Sequence, residues 1–264
     1  MRGEVCVGFG FVLSSAASLG LLIATHVGQT NTSKGVNKIY MAQLNTSGYA
    51  DTLEVALLDP VDDLYTSNAS APLGEQQGLR ELYRWGLYSY GGFIGIENGT
   101  TNNGTISNET AGYQYRPYDA LLNDMPERYR VITDAIITDM AFTDSSYLGS
   151  MTKAAYWMLL LATITTFLAM LSGVIKHNYL FFVSTAMSII STLLLLIGCT
   201  VYTVAVKKSQ VINSFTIQSQ STGQDTPLGI TVDVGQGIYQ IWAAFALTFV
   251  SIMPYMISCC TYRG

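Results

Sequence analysis

The sequence predicts a membrane protein that is mainly α-helical: a bundle of four transmembrane helices carrying an extracellular domain of a small β-sheet plus a helix. Three observations predict it. Apolar residues make up 49% and charged residues 12% of the 264, against about 25% charged in a soluble domain, and mean hydropathy is +0.31. Four stretches, near 5–27, 154–175, 179–206 and 237–260, have no Asp, Glu, Lys or Arg inside them and reach the ~20 mostly apolar residues that cross a bilayer. Six N-glycosylation sequons, at Asn31, Asn45, Asn68, Asn98, Asn103 and Asn108, all fall between the first two of those stretches. One Asn-x-Ser/Thr is a weak signal; six together place this segment on the lumenal, later extracellular, side.

The elements follow in order. Residues 1–27 read as transmembrane helix 1, an uncleaved signal-anchor: a single basic residue, Arg2, precedes an apolar stretch longer than a signal-peptide core, and Ala24-Thr25-His26 is a poor cleavage site. Its run Ser14-Ser15-Ala16-Ala17-Ser18 with Gly20 lets another helix approach closely. Residues 28–153 form the glycosylated extracellular domain. Helix 2 spans 154–175, a cytosolic turn 176–178, helix 3 179–206, a second extracellular loop 207–236, helix 4 237–260 and a cytosolic C-terminus 261–264. A turn that short makes helices 2 and 3 antiparallel neighbours. Tyr156, Trp157, Tyr239 and Trp242 suit interfacial aromatic belts, and Pro254 is expected to kink helix 4 or end its regular bonding. Arg2, Lys176 and Arg263 fall inside; Lys207 and Lys208 fall outside, so the sequons outweigh the charge bias in setting orientation.

Within the extracellular domain, residues 82–96 are aromatic and β-branched, and read as a strand with a turn or bulge at Gly91-Gly92. Residues 51–65 offer a second apolar run broken at Pro60. Residues 127–142 place Val131, Ile132, Ala135, Ile136 and Met140 near one helical face, with Pro126 in the first turn. Residues 98–110 read as an exposed loop bearing glycans. Trp85, Leu87, Tyr88, Tyr90 and Phe93 are the expected core.

Chemistry is sparse. Segment 27–153 holds 15 acidic against 8 basic residues, which disfavours nucleic acid as a partner. Asp59, Asp62 and Asp63 lack calcium-loop spacing. The two histidines, His26 and His177, fall on opposite membrane faces. No metal, P-loop or nucleophile motif is present, so no enzyme activity, cofactor, catalytic residue or metal site is expected. The charge-free spans disfavour transport. The four cysteines, Cys6, Cys199, Cys259 and Cys260, all lie outside 28–153, so no disulfide staples the extracellular domain although its compartment is oxidising. Cys259 and Cys260, where helix 4 meets the cytosol, are candidate S-acylation sites; Cys6 is a weaker one.

At this point the layout resembles the fungal PalI/Sur-type tetraspan family, claudin-like proteins several of which occupy eisosome membrane compartments. The stretch Tyr147 to Trp157 is similar to that family's approach to its second span, and Trp85-Gly86-Leu87-Tyr88 resembles the G-L-W signature of claudin-like first loops. Tyr88 stands where the signature has Trp, and Gly91 and Gly92 occupy the neighbourhood of the paired cysteines many members carry. The resemblance implies a claudin-like extracellular domain and a non-enzymatic plasma-membrane protein that organises a cortical membrane domain and supports cell-wall and membrane integrity. Its partners would be membrane lipids and other integral membrane proteins, in self-association or a larger complex, with cell-wall glucan as a further contact. Two alternatives stand beside it: an auxiliary subunit of a polysaccharide synthase or ion channel, and a component of ambient-pH sensing.

Glycosidase treatment is expected to lower the apparent mass by several glycans, all mapping to 31–110, and protease added to intact cells to spare the 176–178 turn. Cleavage of that turn from outside would refute the helix order.

Overall fold

A computed structural model describes residues 3–33, 35–95, 103–138, 140–174, 178–218 and 223–261, with side chains described from Ser15 and as far as Met253. In chain order its elements are α1 (Gly3–Val27), β1 (Ala42–Asn45), α2 (Tyr49–Leu57), β2 (Leu82–Trp85), β3 (Tyr90–Ile94), β4 (Asn103–Ile106), α3 (Pro117–Asp124), α4 (Glu127–Ile136), α5 (Ser145–Val174), α6 (Asn178–Ser209), β5 (Thr216–Gln218), β6 (Asp225–Pro227), β7 (Thr231–Val234) and α7 (Gln236–Thr261). Two compact units result. The apolar unit comprises Met1–Val27, Ala154–Tyr202 and Gly237–Gly264; the sheet unit comprises Gly28–Lys153 and Thr203–Gln236.

The apolar unit is built from long helices whose charges, Glu4 in α1, Lys153 in α5 and Lys207 and Lys208 in α6, lie towards the helix ends. Three segments, Ser145–Gly173, Phe182–Ser214 and Gln236–Met253, are long and apolar enough to cross a membrane, and Ser15–Val27 is a shorter apolar helix among the described residues. The helices α1, α5, α6 and α7 are joined in a ring by buried side chains. Ser18 Oγ bonds the Ala244 carbonyl (3.0 Å) and Thr248 Oγ1 (2.6 Å). Thr166 meets Ser191 at 2.5 Å, Ser188 meets Ser251 at 3.2 Å, and His26 Nε2 meets Thr163 Oγ1 at 3.1 Å. A hydroxyl in hydrocarbon must find a partner, and here the partner is the adjacent helix. The small side chains that supply these hydroxyls also let the helices approach closely. Helix α7 continues to Thr261 without ending at Pro254.

The sheet unit is organised by one antiparallel sheet in the order β4-β3-β2-β1-β7. Its register pairs Trp85 with both Ala42 and Tyr90, and Leu82 with Phe93. β7 comes from the second loop and pairs with β1, Val232 opposite Leu44, so both loops contribute to one sheet. β2 is buried along its whole length, which requires cover on both faces. On one face Tyr83 and Trp85 meet the α3 region: Tyr83 donates to Asp124 at 2.8 Å, and Trp85 packs edge-on to Tyr115 at 5.2 Å. On the other, Arg84 lies over the rings of Tyr40 and Phe93 at 4.7 and 5.7 Å.

Several sequence expectations are corrected. Residues 82–96 do not form one strand turning at Gly91-Gly92. The turn lies at Gly86–Ser89, closed by Gly86 N–H to the Ser89 carbonyl at 2.8 Å, and Gly91 and Gly92 sit inside β3. They are glycine because a Cβ at 91 would meet the Phe93 ring at 2.8 Å and one at 92 the stem of Arg80 at 2.7 Å. Part of the expected glycan loop is strand β4, held against β3; Asn98 lies outside the described residues. Among the described residues, 28–153 holds three short α-helices, α2, α3 and α4, rather than one. The apolar run 51–65 is helical at its start, α2 ending in a left-handed Leu58 (φ 55°) before Pro60. In α4, which stops at Ile136, Pro126 is the N-cap. The buried stripe there is Met125, Tyr129, Thr133 and Ile137, while Val131 is 65% exposed. The Thr133 hydroxyl is bonded to Tyr49 Oη at 2.7 Å, and that pairing, not aliphatic content, decides the inward face.

Gly229 shows how tightly the second loop seats. It has φ +74°, and a Cβ there would lie 2.2 Å from the Gly48 carbonyl oxygen. Gly229→Ala is expected to lower unfolding free energy by at least about 1 kcal/mol, read as a lower midpoint in thermal unfolding of the detergent-solubilised chain. An unchanged midpoint would refute this packing.

Candidate functional site

The signature Trp85-Gly86-Leu87-Tyr88 lies where β2 leaves the sheet. Trp85 and Leu87 are each 1% exposed, Gly86 is buried and Tyr88 half-buried. Tyr90 and Phe93 are buried as well. Trp85 and Tyr90, paired across β2 and β3, stack at 5.8 Å with planes 12° apart. Gly86 is required by a close approach: a Cβ would fall 2.6 Å from the Gly28 carbonyl oxygen and 2.8 Å from Gln29 Cβ. Ser89 Oγ donates to the Gln29 carbonyl on the same segment. Gln29 Nε2 in turn donates to the Asn37 carbonyl at 2.6 Å, which Arg84 also reaches at 3.3 Å. Gly86, with the flanking Ser89 and Arg84, therefore holds Gly28, Gln29 and Asn37 in place.

A second constellation carried no sequence signal. Arg80, 0% exposed, donates Nη1 to the Asn68 carbonyl (2.7 Å) and Nη2 to the Ala71 carbonyl (2.6 Å). Its backbone N–H donates to Tyr83 Oη at 3.0 Å, and that hydroxyl donates to Asp124 Oδ2. Asp124 Oδ1 accepts from Gly74 N–H. Burial raises the Asp124 carboxyl above its ordinary value, against the opposing pull of Gly74 N–H, the Tyr83 hydroxyl and the Arg80 charge. Burial also raises the Tyr83 phenol well above its usual value, with the Asp124 charge adding to it.

A groove of about 390 Å³ opens beside this core, with Trp85 and Tyr90 at its floor and Tyr113, Arg116, Asp119 and Lys153 among its walls. Arg116 pairs with Asp119 at 3.6 Å, both side chains roughly 40% exposed, an arrangement that contributes little to stability. Burial raises the phenols of Tyr90 and Tyr113. The groove's walls supply no nucleophile paired with a base.

The remaining candidates are dispersed. Asn31, Asn68, Asn103 and Asn108 are exposed and Asn45 half-buried. Asn31, Asn45 and Asn68 each accept a bond from the backbone N–H of the serine two residues on, at 2.9, 2.9 and 3.0 Å. The side chains of Cys6, Cys259 and Cys260, and all of His177, lie outside the described residues. His26 packs edge-on to Tyr156 at 6.4 Å. Asp59 is engaged by Arg128 at 3.5 Å. Among the described residues no group of three or more His, Cys, Asp or Glu side chains is placed to hold a metal.

The raised Asp124 value sets a pH dependence. The fold binds this proton more tightly than the unfolded chain does. The stabilisation is thus complete below the ordinary carboxyl value of 3.8 and is lost as pH rises through the raised folded value. Asp124→Asn is expected to flatten that part of a melting-temperature-against-pH curve. Asp124→Ala, which strands Gly74 N–H and the Tyr83 hydroxyl, is expected to cost about 1–3 kcal/mol. A wild-type curve with no such slope would refute the assignment.

A comparison with curated proteins gives no match. The profile of the SUR7/PalI family matches residues 7–254, which takes in the apolar helices and the whole sheet unit. The chain, a transmembrane protein by its apolar helices, therefore belongs to the SUR7/PalI family.

Proposed function

We propose that this protein is a non-enzymatic four-span protein of the plasma membrane that organises a cortical membrane domain and supports cell-wall and membrane integrity. Its termini are cytosolic, and residues 28–153 and 207–236 face outward with a claudin-like architecture. The observation that carries the reading is the outer surface of α5. Trp157, Leu161, Ile164, Leu168 and Leu171 are each 42–48% exposed and follow one another at spacings of four, three, four and three residues. That is the periodicity of a seam that packs against another helix. Buried hydroxyls of the same unit, those of Ser18, Thr166, Ser188, Ser191, Thr248 and Ser251, turn inward to each other, and the outward face of α5 is left mostly to lipid tails and neighbouring helices. Such a protein acts laterally: it spends its surface on packing in the bilayer.

Membership of the SUR7/PalI family supports a non-enzymatic role. Glycans on the exposed sequons, S-acylation at Cys259 and Cys260, and contact with wall glucan are parts of the same proposal.

Shaving the seam tests it. Leu161→Ala with Leu168→Ala is expected to disperse the protein's membrane clusters in fluorescence images while its abundance holds. Clusters that persist unchanged would sink the lateral reading. Co-purification of one large stoichiometric protein, undisturbed by the two substitutions, would instead favour an auxiliary subunit.

A further inference from the structure

The exposed face of α5 does not end where its charge-free run begins. Counting back from Trp157 by fours gives Lys153 and Gly149, and residues four apart are neighbours on a helix surface. Gly149 is buried because two side chains lie on it. A Cβ there would fall 2.8 Å from Arg116 Nε and 2.9 Å from Gln114 Oε1. Glycine weakens a helix interior relative to alanine; here it makes room for a guanidinium. Side chains on a helix lean toward its N-terminus, so the Lys153 stem leans toward Gly149 and the Arg116 side chain that covers it. Arg116 and Lys153 are both exposed, and both line the groove floored by Trp85 and Tyr90.

The groove is a cationic spot on an acidic segment. Residues 27–153 carry 15 acidic against 8 basic side chains, yet the charged walls of the groove are Arg116, Lys153 and one carboxylate, Asp119. Asp119 is engaged with Arg116 at 3.6 Å, and Lys153 has no ion pair among the described residues. Trp85 and Tyr90 are only 1% and 7% exposed, so the floor offers ring edges rather than a stacking face, and charge selects the ligand. The volume of about 390 Å³ lies within the ~300–1,000 Å³ of small-molecule sites and holds more than a bare phosphate. Past Lys153 the same helix face is apolar: Trp157, Leu161, Ile164 and Leu168 stand exposed. At ~1.5 Å rise per residue that stretch covers about 16 Å, one leaflet of the hydrocarbon core. A ligand that matches both parts has an anion at one end and hydrocarbon at the other.

Resting on the exposed α5 face of the lateral reading, we infer that Arg116 and Lys153 hold the phosphodiester of a membrane lipid, with its hydroxylated headgroup in the groove and its acyl chains along α5. The guanidinium offers planar N–H donors and the ammonium a point charge to the non-bridging oxygens. Asp119 steadies the guanidinium and accepts from headgroup hydroxyls, and the Asn123 side-chain amide lies on the same wall. The carboxylate also repels the second charge of a phosphomonoester, so a singly charged phosphodiester is favoured. A choline headgroup brings no hydrogen-bond donor to Asp119 and adds a cation to a groove already in positive excess. With residues 28–153 outward, the lipid belongs to the outer leaflet.

The test uses the full chain, purified folded in detergent and stripped of lipid. It is exchanged into mixed micelles holding phosphatidylinositol and phosphatidylcholine in equal amount, and native mass spectrometry counts the lipid retained per chain. Wild type is expected to retain a single phosphatidylinositol in preference to phosphatidylcholine. Arg116→Gln and Lys153→Gln are each expected to lower that preference about tenfold, the loss of one charge-assisted contact, with unfolding midpoints near that of wild type because both side chains are exposed. Lys207→Gln/Lys208→Gln removes two cations at the end of α6, outside the groove, and is expected to leave the preference unchanged. Water-soluble glycerophosphoinositol in excess is expected not to displace the lipid. Four results would each overturn the inference. They are no preference between the lipids, a preference that survives both groove substitutions, an equal loss in the Lys207/Lys208 variant, which would reduce binding to general surface charge, and displacement by the soluble headgroup, which would assign the groove to a soluble phosphodiester. Lipid is counted on dispersed chains and clusters are imaged in cells, so failure here leaves the lateral reading standing, and clusters that persist leave the lipid site standing.

Discussion

Arg80 is a fully buried cation, and residues 66–80, β2 and α3 of the sheet unit are tied together through it, although its Nε finds no partner. Its guanidinium meets two loop carbonyls, and its backbone reaches through Tyr83 to Asp124 at the end of α3. One network thus joins the 66–80 excursion, the central strand and a helix terminus. A buried ion pair or its equivalent is weak as a source of net stability, but losing one member leaves an uncompensated polar group at high cost. The network holds residues 66–80 against β2 and the end of α3. No cysteine lies in 28–153 to do the same covalently.

That placement has consequences at the sheet's border. The stem of Arg80 lies over Gly92, and Phe93 lies over Gly91 and its cross-strand partner Gly104. Covering glycine with an aromatic ring is a known way to stabilise strands that lack side chains of their own.

The apolar unit obeys a different constraint. In hydrocarbon the apolar effect does not drive helices together, so close packing of small residues and hydroxyl contacts do. Each contact is worth only about 0.6 kcal/mol on average, and a ring of them closes α1, α5, α6 and α7 on each other. Large apolar side chains such as Leu161, Ile164 and Leu171 are left exposed.

The charge-free runs were legible in the sequence because bilayer thickness imposes a length and hydrocarbon excludes charge: α6 and α7 extend only a few residues beyond the runs 179–206 and 237–260. Trp85 and Phe93 read as core because large aromatic area is costly to leave in water. Gly91-Gly92 was ambiguous, since glycine serves a turn and a close approach equally. Asn103-Gly104-Thr105-Ile106 has the composition of a turn and became a strand only because β3 was there to pair with it. The inward face of α4 depended on a hydroxyl pairing between Thr133 and Tyr49, 84 residues apart in the chain. What the sequence by itself determined is the solvent each segment must occupy, because composition sets transfer free energy locally. Tertiary structure alone decided that Val232 pairs with Leu44 and that Arg80 is buried, because those choices need partners that lie far apart along the chain.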